Sequence, residues 1–358
     1  MSSRGWKITA GFGPSYETEI VSASGPGGLA RALEHSGDVF LVTDAKVAGL
    51  HGRWLEGALG RQPRAAVHIE ADERFKTLST AAGILSEMHS AGLTREAVLV
   101  GLGGGMVCDV AAMCASMWLR GVRLILVPTS LLCMVDACLG GKTGVNSKLA
   151  KNQIGTFYPA SAVVVDTAFL ETLPERELRS GLGEVLKTAL ISGNPRLRRL
   201  LSDLRGAVPP EAASEIVELC LRAKRDIVSS DPLERGPRRI LNLGHTFGHA
   251  LESASGFALT HGEAVALGCI VAARMAASLE GPEALAGEVS SLAGSMGLPH
   301  EPGRFVPGTL GRFLSRDKKS AGGGRRWVIP FGWGDCRQVL LEPAREVDLL
   351  SGALSADK

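Results

Sequence analysis

Residues 238–263, RRILNLGHTFGHALESASGFALTHGE, hold three of the chain's eight histidines, and their spacing suits a metal site. His245 and His249 stand four apart, so on a helix they share one face. A break at Ser255–Gly256 follows, and Thr260-His261-Gly262-Glu263 opens a second helical pattern that can return His261 toward the first two. All three lie in apolar sequence, where an unpaired imidazole is costly. A hydrogen-bonded core histidine accounts for His245 or His249 taken singly. Three together point to a metal, because catalytic zinc takes three protein ligands plus an open position. Upstream, Gly181-Leu-Gly-Glu184-Val-Leu-Lys187 starts a helix with Glu184 and Lys187 three apart on one face. That pair reads either as an intrahelical ion pair or as a carboxylate joining the histidines on the metal. Arg238 precedes His245 by two helical turns of sequence, and Lys224 leads into Glu234 and Arg238.

A second set of residues suits anions. Glu96 to Asp109 runs as an apolar strand into Gly103, Gly104 and Gly105 and then a helix, where backbone N–H groups could meet a pyrophosphate. It is not the standard GxGxxG pattern, and a flexible turn is the plain alternative. The strand 122–130 delivers Thr129 and Ser130 at its C-terminal end, and the strand 38–44 ends in Asp44, an acceptor for a ribose hydroxyl. Taken alone, Glu73 and Lys76 read as a surface ion pair on a first helical turn. The loop DACLGGKTGVNSKLAKN supplies Asp136, Lys142, Asn146, Lys148, Lys151 and Asn152 around two glycine turns, either a phosphate clamp or a solvated basic loop.

The elements that must position these residues fall into two groups. Residues 1–60 read as strand, helix, strand, helix, and strands alternate with helices from 38 to 166, which predicts a parallel sheet covered on both faces. Ligands then belong at the strand C-termini. Beyond Glu177 strand signals fade and amphipathic helical segments take over, so a boundary is placed at 175: residues 1–175 form an α/β domain and 176–358 an all-α domain. The strand-like Arg326-Trp-Val-Ile-Pro interrupts the latter.

A chain of 358 residues fits two domains. With 45% hydrophobic and 21% charged residues it has an ordinary globular composition, and a net charge of +2 offers no broad field for nucleic acid or a membrane surface. The seven cysteines form no CxxC and sit in apolar sequence, as reduced core thiols of a cytoplasmic protein would. MSSRGWKITAGFG has no apolar h-region and no apolar run approaches a membrane span, so neither export nor membrane insertion is expected.

Together the segments GGGMVCD, LRGVRLILVPTSLL, MVDACLGGKTGVN, KNQIGTFY, TLPERE, SGLGEVLK, NLGHTFGHALE, HGEAVALG and RDKK resemble the 3-dehydroquinate synthases of the sugar phosphate cyclase group. The match runs in order from about Glu73 to Ile329. It implies a Rossmann-like NAD-binding domain followed by a helical metal- and substrate-binding domain. The implied metal ligands are Glu184, His245 and His261, for zinc or cobalt, with His249 a site residue outside that set. NAD would lie against Asp44, Glu73, Lys76, Gly104, Gly105, Met106, Asp109, Thr129, Ser130, Lys151, Thr172 and Leu173. Lys46 departs from the polar amide common there in the family. Lys142, Asn152 and one of Lys318 and Lys319 would meet the substrate phosphate. Lys224 and Arg238 would hold its carboxylate, with Glu234 steadying one of them. Asp136, Lys187, Asn242 and His249 would line the sugar hydroxyls, and Arg120 would reach the neighbouring subunit's site in a homodimer.

The resemblance implies a lyase of the shikimate pathway that converts 3-deoxy-D-arabino-heptulosonate 7-phosphate into 3-dehydroquinate and phosphate. Transient oxidation by NAD, phosphate elimination, re-reduction and an intramolecular aldol would follow in turn. Three rivals stand beside it: a cyclase acting on an aminated or uncarboxylated sugar phosphate, a net alcohol or glycerol dehydrogenase, and a catalytically silent scaffold. Intact Arg238, Asn242 and the lysine pair favour a carboxylated heptulosonate.

Overall fold

The structure, a computed structural model, describes residues 5–13, 16–147, 151–205, 208–256, 258–305 and 323–355. Its residues group into two compact units, Met1–Leu173 with Ala213–Leu233, and Pro174–Ala212 with Glu234–Lys358.

The first unit is built on a seven-stranded sheet. Its elements are β1 (Lys7–Gly11), β2 (Glu17–Ser22), α1 (Gly27–Ala32), β3 (Val39–Asp44), α2 (Ala45–Leu59), β4 (Ala65–Ile69), α3 (Leu78–Ser90), β5 (Val98–Gly103), α4 (Gly105–Met117), β6 (Arg123–Pro128) and β7 (Ala162–Val165). The strand order is β1-β2-β7-β6-β5-β3-β4, parallel except for the β1–β2 pair. β3 and β5 are buried along their whole length, in keeping with the apolar stretches 39–42 and 98–102, and β3 ends in the buried polar pair Thr43 and Asp44. The chain leaves β3 toward β4 on one side and returns to β5 on the other. Strand order therefore reverses between β3 and β5, and the C-terminal ends there carry Asp44 and Gly103–Gly105.

Two features depart from the sequence pattern. The N-terminal segment forms the β1–β2 hairpin ahead of a short α1, where strand–helix was expected; β2 alternates exposed and buried residues as an edge pair does. Helix α7 (Pro210–Ser230) falls within the expected second domain, yet from Ala213 it groups with the sheet unit. Trp6 Nε1 donates to Ser214 Oγ at 3.1 Å and the Gly11 N–H to Ser229 Oγ at 3.2 Å, tying α7 to the first strand. An amphipathic helix advertises an apolar face, not the partner that covers it.

The second unit is the helical domain, with α5 (Glu175–Ser192), α6 (Pro195–Asp203), α8 (His245–Ala254), α9 (His261–Ala277), α10 (Ala284–Ser295) and α11 (Pro343–Ser355). One antiparallel hairpin, β8 (Arg325–Gly332) and β9 (Asp335–Leu341), is added to the expected helices. α9 is buried nearly all round, and α5 and α8 pack against it. Their approach is set by glycines. A Cβ on Gly183 would overlap the Gly262 carbonyl oxygen, and one on Gly268 would overlap that of Gly244. Gly244, at φ 76°, also adopts a left-handed conformation that caps α8. None of the seven cysteines is in a disulfide, and all but Cys336 are buried. Burial pushes the thiols of Cys114 and Cys336 up to about 12.

Gly183→Ala should therefore destabilise the metal-free protein by about 1–3 kcal/mol or more, from forced separation of α5 and α9. Gly287, inside α10, provides the contrast, because nothing lies within 4 Å of the point where an added methyl would sit. Gly287→Ala should be neutral or stabilising by up to about 1 kcal/mol, from helix propensity alone. Urea titration of the two variants checks the pair.

Candidate active site

In the second unit three elements deliver one cluster. Glu184 comes from the middle of α5, while His245 and His261 are the first residues of α8 and α9. The left-handed Gly244 aims His245, and a capping box between Thr260 and Glu263 fixes the start of α9 at His261. His261 Nε2 lies 3.2 Å and His245 Nε2 3.6 Å from the same oxygen, Glu184 Oε1. One donor atom from each of the three lies within 4.8 Å of the other two. Ligands about 2.0–2.1 Å from a tetrahedral zinc stand roughly 3.4 Å apart, so these donors fit a divalent ion with little adjustment. His249, one turn along α8, is outside the triad but stacks beside it, its ring centroid 5.0 Å from that of His245 and 5.7 Å from that of His261.

The carboxylate is divided between two duties. Glu184 is 0% exposed, and its other oxygen, Oε2, lies 2.5 Å from Lys187 Nζ, itself 1% exposed. Burial alone would raise the Glu184 carboxyl, but Lys187 and the two imidazoles outweigh it and hold the group well below the usual range. His245 is pushed down to about 3 by burial and then by Lys187. Its Nδ1 lies 3.0 Å from the Leu243 carbonyl, so Nδ1 carries the proton and Nε2 is the donor atom. His261 behaves oppositely: burial would lower it, but Glu184 and Glu252 together raise it to about 9. Glu252 Oε2 lies 3.4 Å from His261 Nδ1. Nearby, Asn242 Nδ2 donates to Glu234 Oε1 at 2.7 Å, in a turn where Arg238 is buried.

In the first unit the glycine turn ends at Gly104, whose position caps α4 without any side-chain hydrogen bond, leaving Gly105 and Met106 in the first helical turn. Ser130 borders Gly104, and the Thr129 N–H extends the sheet to the Gly103 carbonyl at 2.9 Å. Asp44 uses Oδ1 to cap α2 at the Val47 N–H, 2.9 Å away, and the exposed Lys46 follows it. Thr172 and Leu173 close the turn after β7, where Thr172 Oγ1 lies 2.9 Å from His51 Nε2. Asp136, on a π-helical turn at Cys133–Ala137, accepts Lys224 Nζ at 2.7 Å on both Oδ1 and its carbonyl. Lys142 and Lys151 are exposed on the same loop.

The reading of Glu73 and Lys76 as a surface pair is corrected. Lys76 is buried, and its Nζ reaches Asp109 Oδ2 and Asn152 Oδ1, each at 2.6 Å. Burial raises the Asp109 carboxyl against the pull of Lys76. Glu73 pairs instead with Asn146, whose Nδ2 donates to Oε1 at 2.7 Å and whose Oδ1 accepts the Asn152 N–H at 2.9 Å. Asn146 thus ties its own loop to Glu73, a role hidden in sequence because Glu73 lies 73 residues away. Arg120 is exposed, and it and Leu119 hold φ of 67° and 47°, strained values for residues with side chains. Lys318 and Lys319, like Lys148, lie outside the described residues.

Of the three candidate ligands only His261 would have to shed a proton near neutrality before it could bind a metal. Between pH 6 and 8 the apparent zinc association constant should rise about tenfold per pH unit, flattening above about 9. Competition against a chelator at fixed ionic strength measures it; a flat profile would contradict the role of His261.

The chain matches the 3-dehydroquinate synthase N-terminal family over residues 66–180 and the C-terminal family over residues 181–320. It is 42% identical over 306 residues to the 3-dehydroquinate synthase of Acidithiobacillus ferrooxidans, covering 83% of this chain and 84% of that one. A 2-epi-5-epi-valiolone synthase from Streptomyces hygroscopicus with NAD+ and Zn2+ bound is 29% identical, with TM-score 0.85, over 99% of this chain and 100% of that one. A 2-deoxy-scyllo-inosose synthase complexed with carbaglucose-6-phosphate, NAD+ and Co2+ is 26% identical, with TM-score 0.85, over 96% and 99%. Two family matches laid end to end, and a relative of this identity along most of both sequences, place the chain in the 3-dehydroquinate synthase family.

Proposed function

We propose that the chain is a 3-dehydroquinate synthase, a carbon–oxygen lyase that converts 3-deoxy-D-arabino-heptulosonate 7-phosphate into 3-dehydroquinate and phosphate. The observation that carries this reading is the convergence of Glu184, His245 and His261 in a chain of this family. Glu184, His245 and His261 would hold a divalent ion, zinc or cobalt, which would supply Lewis-acid polarisation, and bound NAD would supply reversible hydride acceptance. Glu184 and the two imidazoles bind the ion, and Lys187 keeps Glu184 ionised beside the substrate hydroxyls. Gly104, Gly105 and Met106 offer backbone N–H groups to the cofactor pyrophosphate at the start of α4. Asp44, Glu73, Lys76, Asp109, Thr129, Ser130, Lys151, Thr172 and Leu173 complete the nucleotide's contacts.

Lys142 and Asn152, with a lysine of the 318–319 pair, take the substrate phosphate. The departing phosphate serves as its own base, so no side chain has to be stationed at the C6 proton. Lys224 and Arg238 hold the carboxylate, while Asp136, Asn242 and His249 orient the ring hydroxyls. Glu234, hydrogen-bonded to Asn242, acts on the substrate through that amide. Orientation of this kind is worth several kcal/mol of the barrier, on the order of 7–11 in the best intramolecular cases. We assign Arg120 to the partner subunit's site in a homodimer, supported by its strained, exposed backbone and the exposed Met117 and Leu119 beside it. The enzyme works in the cytoplasm, in the shikimate pathway.

Phosphate release from the heptulosonate phosphate, with no net change in nicotinamide absorbance, is the expected result. Its amino analogue and sedoheptulose 7-phosphate, run as competitors, should turn over more slowly. NADH accumulating on a polyol without phosphate release would identify a net dehydrogenase and refute the reading. In the same assay His261→Ala should lose turnover and bound metal together; zinc retained at full stoichiometry would remove His261 from the ligand set.

A further inference from the structure

We propose that Glu252 is the positioning residue of the metal centre, holding His261 by its far ring nitrogen so that Nε2 faces Glu184 and the ion. The inference rests on the metal-site reading above and concerns a residue that none of the motif spacings singled out. Glu252 lies on α8, seven residues after His245 and so on the same helical face. It is 8% exposed, in a helix otherwise buried through Phe247, Gly248, Ala250 and Leu251. An ionised carboxylate in such a place is costly unless a partner meets it. It faces His261, with Oε2 3.4 Å from Nδ1, while Nε2 of the same ring lies 3.2 Å from Glu184 Oε1.

The two histidine ligands are therefore oriented by different groups. His245 donates a hydrogen bond from its Nδ1–H to a main-chain carbonyl, that of Leu243. His261 gives its own to a side-chain carboxylate, which fixes the tautomer and, being negative, strengthens Nε2 as a donor to a cation. Helix α8 thus contributes twice to the site: a ligand at its first residue and the orienter of the other imidazole two turns on.

The test is zinc binding by the full chain, freed of metal and titrated with Zn2+ against a chromophoric chelator. Glu252→Ala should weaken the apparent affinity by about 10–100-fold. Glu252→Gln, which preserves volume and can still accept from Nδ1–H, should recover part of that loss. The zinc-induced rise in melting temperature of the Gln variant, taken from its own metal-free value, should be smaller than that of wild type, a change that a purely structural carboxylate would not produce. Should the Ala variant fail to fold, the His261 Nδ1–H proton resonance of the zinc-loaded Gln variant decides: an upfield shift supports the contact, and an unchanged position overturns it. Wild-type affinity in both variants overturns the inference alone. A wild-type chain that binds no zinc overturns the metal-site reading with it.

Discussion

A single carboxylate, fully removed from solvent, constrains everything around it. An isolated ionised group so deep in the protein would cost many kcal/mol, and breaking a buried pair by removing one partner typically costs about 3–5. Glu184 escapes this by facing a lysine with one oxygen and two imidazoles with the other. Each neighbour must then arrive at a fixed point. Lys187 does so through the helix itself, three residues on; the imidazoles require two further helices to begin within reach of α5. The glycines explain how they can. Where Gly183 meets Gly262, and Gly268 meets Gly244, main chain touches main chain with no methyl between. These four residues include the immediate sequence neighbours of all three donors, so the spacing of the ligands is set by backbone contact and not by adjustable side chains.

The first unit uses the same economy with opposite sign. Lys76 is clasped by Asp109 and Asn152, and Lys224 by Asp136, so both ammonium groups are held in place, and an anion binding there would find them preset. A ligand then meets charges whose rotamers are already restricted, and little side-chain entropy remains to be lost. Asn146 extends the arrangement to Glu73, so the turn at Glu73–Lys76 and the loop that carries Asn146 and Asn152 share one hydrogen-bonded lattice.

Local spacing carried much of this. The histidines at 245, 249 and 261 announced a cluster because helical periodicity and a single break suffice to bring them together, and Glu184 was marked by Lys187 on its own turn. The alternating strands and helices of residues 38–166 likewise disclosed the sheet. Pairings across long separations were not legible. Lys76 looked like the partner of Glu73, three residues away, whereas its ammonium reaches residues 33 and 76 positions on. Glu252 sat on the correct face of α8, yet nothing in the spacing says that a carboxylate there is buried. The grouping of α7 with the sheet was hidden for the same reason, since its pattern shows that it packs and not where. The β1–β2 hairpin escaped because its edge alternation is short.

The protonated thiols of the core bear on which donor atoms the folded chain offers to a metal. Thiolate, not thiol, captures soft transition metals. Burial drives Cys114, Cys138, Cys269 and Cys336 toward the neutral form, and Cys133 is held there first by Cys108 and then by burial. Buried, neutral sulfur of this kind offers little thiolate to a soft metal. Glu184, His245 and His261 offer oxygen and nitrogen donors instead, a set whose hardness suits borderline divalent cations.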